Sequence, residues 1–452
     1  MKTLKMIGFT SLFIVLIIIF YNAPKLKLIS GFAAKNLASS FFIANRSEDY
    51  TNKTDNSSPL IKLANSKINL KEKIATSNVW GFAKEKAVYR DGIGAILVNK
   101  DTVLTDDYLK PNRNLTSIPL PYPYGNLPAK DTIFNNVDYQ LLNNVINNSF
   151  VGDYKNKPKN TRSLIVLYKG QIIAEKYADG FDKNSLLQGW SITKSLLTTC
   201  FGILEKDGDF DINQPITAFS DWLKDDRKNI TTSQLLRMES GLEWEENYST
   251  ICDVTKMLFK DNDLTKRPLS KKQTSPAETV FNYSSGTSNI LSALLRKQFN
   301  THQEYLDFPY QEFIDKIGMH SMLMETDIMG NYVASSYSWA TTRDWAKFGQ
   351  LMLNDGIWNG EQIVSKKWVN YITTPNKTSN NEYGGHWWLN KGDYMPNVPK
   401  DCFYADGFQG QRIFVIPSKE LVVVRFGVTE LNRTEFYTMF DHLLKTICKS
   451  IQ

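Results

Sequence analysis

Gly189-Trp190-Ser191-Ile192-Thr193-Lys194-Ser195-Leu196-Leu197 is the stretch on which the reading of this chain turns. If Ser191 opens a helix, Lys194 lies one turn further along the same face, within reach of the serine hydroxyl. A hydroxyl is a poor nucleophile until a base removes its proton, and a lysine partly withdrawn from water can serve as that base. The helix N-terminus adds partial positive charge that favours a developing alkoxide. Spacing alone proves little in a chain rich in Ser and Lys, but this is its only S-x-x-K. Behind it, Ile192, Leu196, Cys200 and Phe201 form an apolar face that would bury the helix. The bland alternative is an ordinary helix start with solvated Ser and Lys.

Two further clusters follow in chain order. Phe281-Asn282-Tyr283-Ser284-Ser285-Gly286 precedes a helical pattern over residues 289–297. A tyrosine beside a lysine can take a proton in one half-reaction and return it in the other, and Ser285 can complete the relay. A tyrosine before a helix is more often a packing residue. The third cluster, Tyr404-Ala405-Asp406-Gly407-Phe408-Gln409-Gly410-Gln411, leads into a buried strand. Its glycines, Gly407 and Gly410, let a substrate lie close to the strand edge, and a backbone N–H here can join that of Ser191 to bind an oxyanion. A glycine-rich hairpin with no such task is the competing reading.

In this order the clusters resemble the S-x-x-K, Y-x-[NS] and [KH]-x-G motifs of the serine β-lactamase and penicillin-binding protein superfamily. The likeness extends over roughly residues 130–445. Asp207-Gly208-Asp209-Phe210-Asp211-Ile212-Asn213-Gln214-Pro215, the run from Ile230 to Leu242, and Arg343-Asp344-Trp345-Ala346-Lys347-Phe348-Gly349 look like its class C β-lactamase-related branch. Gly-Trp-Ser-x-x-Lys-Ser and Gly-Phe-Gln-Gly-Gln are similar to the forms found in 6-aminohexanoate-oligomer hydrolases. The resemblance implies an α+β fold, an antiparallel sheet flanked by helices plus an all-helical part. It also implies an acyl-enzyme on Ser191, proton shuttling by Lys194, Tyr283 and Ser285, an oxyanion held by the N–H groups of Ser191 and Phe408, and no cofactor. One departure matters: Ala405 stands where the family usually has Lys or His, a position that helps hold a substrate carboxylate. The expected substrate is therefore a small-molecule amide or ester other than a β-lactam or D-Ala-D-Ala peptide. The same departure motivates a second reading, a catalytically silent cell-surface binding or scaffold protein.

Working outward, residues 163–168 and 171–177 read as a hairpin turning at Lys169-Gly170, and residues 411–417 and 421–426 as two buried strands. Strands at both ends of a helical middle imply that the first and last are brought together in one sheet. A helical tail from about residue 434 to 448 closes the chain. Five prolines between 110 and 128 suggest a linker over 111–130, with the hydrolase domain at 131–452 and a small β-rich accessory segment at 28–110. The Trp-rich stretches near 339–345 and 358–368 read as core. So does His386, beside Trp387 and Trp388, over the alternative that it lines the cleft.

At the start, two lysines precede an apolar run over residues 6–21, so that residues 1–27 read as a signal anchor or a signal peptide. No A-x-A-like cleavage site follows, which favours the uncleaved anchor and places the remainder outside the cytoplasm. Gly189-Trp190-Ser191-Ile192-Thr193 also approximates a G-x-S-x-G elbow, but Thr193 replaces the last glycine and Lys194 is left without a task. Composition excludes other classes. Apolar residues at 42% and charged at 22% are globular values, and a net charge of +6 without like-charge runs gives no support to nucleic-acid binding. Four scattered cysteines and four histidines, with no C-x-x-C or H-E-x-x-H, argue against a disulfide scaffold or a histidine-based metal site. The sequon at Asn282 lies inside the candidate site and reflects an Asn-rich composition.

Overall fold

The structure, a computed structural model, describes residues 24–98 and 107–452. Most of the expected signal or anchor segment, residues 1–27, lies outside the described residues. Among those described, no helix is long and apolar enough to cross a membrane.

The chain divides into two compact units. The smaller holds a helix over residues 24–42 and a four-stranded antiparallel meander: β1 (Ala64–Asn69), β2 (Ile74–Val79), β3 (Phe82–Arg90) and β4 (Gly94–Val98). Its core is built from small residues, Ala34 and Ala38 of the helix against Ala75, Ala87 and Ala95 of the sheet, so the two layers approach closely. Residues 245–263 also belong to this unit, although they are remote in sequence. They bring Phe259 edge-on to Phe32 at 5.4 Å.

In the larger unit a six-stranded antiparallel sheet is formed by β5 (Thr161–Tyr168), β6 (Gln171–Tyr177), β7 (Trp388–Leu389), β8 (Phe403–Gly407), β9 (Gln411–Ile416) and β10 (Leu421–Gly427). Its spatial order is β7-β8-β9-β10-β5-β6. The β5–β6 hairpin turns at Lys169 and Gly170, whose φ values of 50° and 70° match the twist of the flanking strands. β10 pairs with β5, with Val423 opposite Val166, so the early and late strands meet as the pattern implies.

Both faces of this sheet are covered, which explains why β5 and β10 read as unbroken apolar runs instead of alternating ones. Ile165, Leu167, Val422 and Val424 share one core with Trp345, Phe348 and Leu351 of α4 (Thr342–Leu353). Leu164, Val166, Leu421 and Val423 share the other with Leu142 and Val145 of α1 (Tyr139–Asn148) and Phe440 and Leu444 of α5 (Arg433–Lys449). Each such side chain contributes about 1.5–3 kcal/mol through burial.

The helical part is centred on α2 (Thr193–Asp207), buried on every side from Thr193 to Leu204, with α3 (Ser285–Arg296) beside it. Gly202 of α2 sits where a Cβ would stand 2.5 Å from the Trp368 ring, so the helix is packed at backbone distance. Trp339, Trp345, Trp358 and Trp368 are all core residues. All four cysteines are unpaired and buried. The proline-rich stretch expected to act as a linker is instead strapped onto the larger unit. Arg113 forks onto Asp315 at 2.6 and 2.9 Å, and the buried Tyr122 donates to the Arg343 carbonyl at 2.9 Å.

Candidate active site

The turn that carries Ser191 is tight and strained. Gly189 packs where any Cβ would stand 2.7 Å from the Trp345 ring. Trp190 follows with φ 48°, in the left-handed region that a bulky side chain avoids. A single 3₁₀ turn, Trp190–Ile192, then leads into α2, so Ser191 sits just ahead of the α-helix and not within its first turn. Thr193 Oγ1 locks the turn by donating to the Trp190 carbonyl at 2.7 Å.

Lys194 is 1% exposed, and its Nζ meets oxygens of three described residues. It donates to Ser191 Oγ at 3.1 Å, to Ser285 Oγ at 3.2 Å and to the Ser335 carbonyl at 2.9 Å. Its Nζ also stands 4.9 Å from the centroid of the Tyr283 ring. The Tyr-Ser-Ser sequence divides its work. Tyr283 packs on Trp388 at 5.3 Å, Ser284 caps α3 by accepting from the Thr287 N–H at 2.9 Å, and Ser285 opens the helix and meets Lys194. Three expected residues, Ser191, Tyr283 and Ser285, are thus gathered around the buried amine of the fourth, Lys194.

Gly407 and Phe408 adjoin the same turn. A methyl group on Gly407 would stand 2.2 Å from the Gly189 carbonyl, so β8 and the Ser191 turn touch backbone to backbone. Phe408 is 42% exposed and meets Trp190 edge-on at 5.6 Å. Gly410, expected alongside them, lies on the far side of the β8–β9 turn. With φ 85° it allows Arg425 Nη1 to come within 2.6 Å of where a Cβ would be.

Sequence reasoning does not find Ser335 or Asn289. Asn289 Nδ2 donates to Ser335 Oγ at 3.1 Å and to the Ser285 carbonyl at 3.0 Å, holding both neighbours of Lys194. The Ser335-Ser336-Tyr337-Ser338 cluster is a visible signal, but no spacing rule ties it to position 194. His386 is a core residue. Its Nδ1 donates to the Leu236 carbonyl at 2.7 Å, and its Nε2 accepts from Ser288 Oγ at 3.0 Å. Its own carbonyl accepts from Ser195 Oγ at 2.7 Å, so it ties α2 to α3. Burial, with the Lys194 charge nearby, pushes its pKa down to about 3. Ala405 is fully buried in the position of the missing cation. Next to it, Asp406 pairs with Arg412; burial raises its pKa while Arg412, Arg433 and Lys194 oppose the rise.

Comparisons with known proteins agree with this layout. The chain is similar to the 6-aminohexanoate-dimer hydrolase of Paenarthrobacter ureafaciens, 24% identical over 297 residues that cover 59% of this chain and 72% of that protein. Among solved structures it resembles a family VIII carboxylesterase, with TM-score 0.52, 15% identity and coverage of 70% of this chain and 100% of the other. It also resembles a class C β-lactamase in complex with cefoxitin, with TM-score 0.52, 13% identity and coverage of 70% and 100%. Fold and relatives together define a β-lactamase-related serine hydrolase. Residues 159–433 match the Beta-lactamase family, more than half of the sequence, and the chain belongs to that family.

Proposed function

We propose that this enzyme hydrolyses a small-molecule amide or ester through an acyl-enzyme on Ser191. The observation that carries the reading is the Lys194 amine, buried and in contact with Ser191 Oγ and Ser285 Oγ beside the Tyr283 ring. In the acylation step the Ser191 hydroxyl gives its proton to the Lys194–Tyr283 pair and its oxygen attacks the substrate carbonyl carbon. The resulting oxyanion is bound by the N–H groups of Ser191 and Phe408. Collapse breaks the bond to the amine or alcohol, which leaves with the proton that the pair returns. A water then repeats the sequence on the ester and frees the acid.

A buried Ala405 supports a substrate other than one held by a carboxylate at that position, and the amide named in the hydrolase relative fits the same class. The apolar run over residues 6–21 supports placement of the catalytic unit outside the cytoplasm by an N-terminal anchor. A fluorophosphonate probe tests the nucleophile: the full chain is expected to be labelled at Ser191, and Ser191→Ala to show no label. Equal labelling of the variant would remove Ser191 from the mechanism.

A further inference from the structure

Resting on the reading of Phe408 N–H as an oxyanion donor, the structure assigns Arg412 as the positioning residue that aims this N–H, with Asp406 holding Arg412 in place. In a planar trans peptide the carbonyl and the N–H point in opposite directions, so whatever fixes one fixes the other. The carbonyl in the same peptide unit as the Phe408 N–H is that of Gly407. It accepts from Arg412 Nη1 at 3.0 Å, and that nitrogen also donates to the Gln411 carbonyl at 2.9 Å and contacts Asp406 Oδ1. Arg412 projects from β9 on the face of the sheet that α5 covers, beside Phe436 and Phe440, so the Gly407 carbonyl is turned towards that face. The Phe408 N–H is thereby turned to the opposite face, the one on which Gly407 meets the Gly189 carbonyl.

Arg412 is itself immobilised. It is 5% exposed, and its guanidinium lies 5.1 Å from the Phe440 ring and 5.3 Å from the Phe436 ring. The next carbonyls of the turn are held as well. Gln411 Nε2 donates to the Phe408 carbonyl at 2.8 Å, and Arg425 Nη1 donates to the Gly410 carbonyl at 3.0 Å and the Gln409 carbonyl at 3.3 Å. Four consecutive carbonyls are therefore taken by side chains, and Gln409, at φ 60°, is kept in a left-handed conformation. A cation on the Gly407 carbonyl also polarises the peptide and strengthens its N–H as a donor. Asp406, between Ala405 and Gly407, serves as a half-buried brace for Arg412.

The test uses the full chain with p-nitrophenyl butyrate as substrate and phenylboronic acid as a tetrahedral-adduct probe, with rates normalised to sites titrated by the fluorophosphonate. Arg412→Gln is expected to lower kcat by about 10- to 100-fold with KM nearly unchanged, and to weaken phenylboronic acid by the same factor. Arg412→Lys should recover part of both losses, and Asp406→Asn should lose about 3- to 10-fold in both. A purely structural role would lower the number of titrated sites or the melting temperature, not kcat per site or the boronate affinity. Should Arg412→Gln fail to fold, Asp406→Asn and Arg412→Lys decide. Wild-type kcat per site and boronate affinity in these two variants overturn the assignment while leaving the Ser191 mechanism standing. A wild-type enzyme that Ser191 probes never label removes the reading beneath both.

Discussion

The two halves of the site use the same materials in opposite ways. Around Lys194 the proposed mechanism gives the chemistry to side chains and the holding to the backbone: Ser191, Lys194, Tyr283 and Ser285 converge because α2 and α3 are packed together. In the β8–β9 turn the proposed mechanism gives the chemistry to the backbone and the holding to side chains: Arg412, Gln411 and Arg425 bind its carbonyls. The first half should fail abruptly when a functional group is removed. The second should lose transition-state binding in steps, because its donor survives every substitution that spares the main chain.

The largest effect expected is therefore at the amine. Lys194→Ala should reduce kcat by about 10²- to 10⁴-fold on p-nitrophenyl esters while the larger unit stays folded, as checked by circular dichroism. A loss within 3-fold would break the contrast, because the residue in contact with Ser191 would then be dispensable. Tyr283→Phe removes only the phenol oxygen and leaves the ring on Trp388. It is expected to lower kcat by about 10²-fold and to flatten one limb of the pH–rate profile. An unchanged profile would limit Tyr283 to packing.

On the backbone side, Gly407→Ala is the sharper probe. Its methyl would meet the Gly189 carbonyl at 2.2 Å, so β8 and the Ser191 turn must separate. A shift of that size moves the Phe408 N–H away from the oxyanion, and kcat/KM should fall by about 10- to 100-fold. Labelling of Ser191 should slow rather than vanish. Normal kinetics in this variant would show that the two halves do not need their backbone contact.

The same contrast separates what is legible in the amino-acid string from what is not. Short motifs in a fixed order can be read from a string, so Ser191, Lys194, Tyr283 and Ser285 stand out as candidates, as do the hairpin at Lys169-Gly170 and the apolar strands of the sheet. Groups that act by holding carbonyls have no spacing signature. Arg412 and Gln411 read as ordinary strand residues, and Asp406 as a motif residue with no task of its own. Ser335 and Asn289 belong to segments whose meeting with α2 depends on tertiary packing alone. Assignment of residues 245–263 to the smaller unit is hidden for the same reason, since nothing local in that stretch differs from its neighbours. The proline count between 110 and 128 speaks correctly against helix and central strand, but extended chain can be pinned to a surface as readily as it can hang free. Arg113 on Asp315 does the pinning.

His386 provides the smallest and most specific test, because it supports the side-chain half by tying α2 to α3 from within the core. Its two ring nitrogens are satisfied only in the neutral form, with Nδ1–H on the Leu236 carbonyl and Nε2 accepting from Ser288. Folded, it titrates at about 3 against an ordinary value of 6.5, so the unfolded chain binds the extra proton first. Stability is then fully present above about pH 6.5 and declines as the pH falls towards 3, by up to about 1.4 kcal/mol per pH unit from this group. His302 and His320, also lowered by burial, add to the same acid slope. His386→Gln can keep both bonds, with its amide N–H on Leu236 and its oxygen accepting from Ser288, and it has no proton to gain. Thermal melts from pH 7.5 to 4.5 should show a shallower decline for this variant than for the wild type, and a stability near pH 7.5 that is equal or slightly lower. Parallel curves would mean that the imidazole takes up its proton equally in the folded and the unfolded chain, so that it is charged in the folded protein in the acid half of this range. The clamp between α2 and α3 would then be an ionic one, and the amine at position 194 would face a second cation across the core.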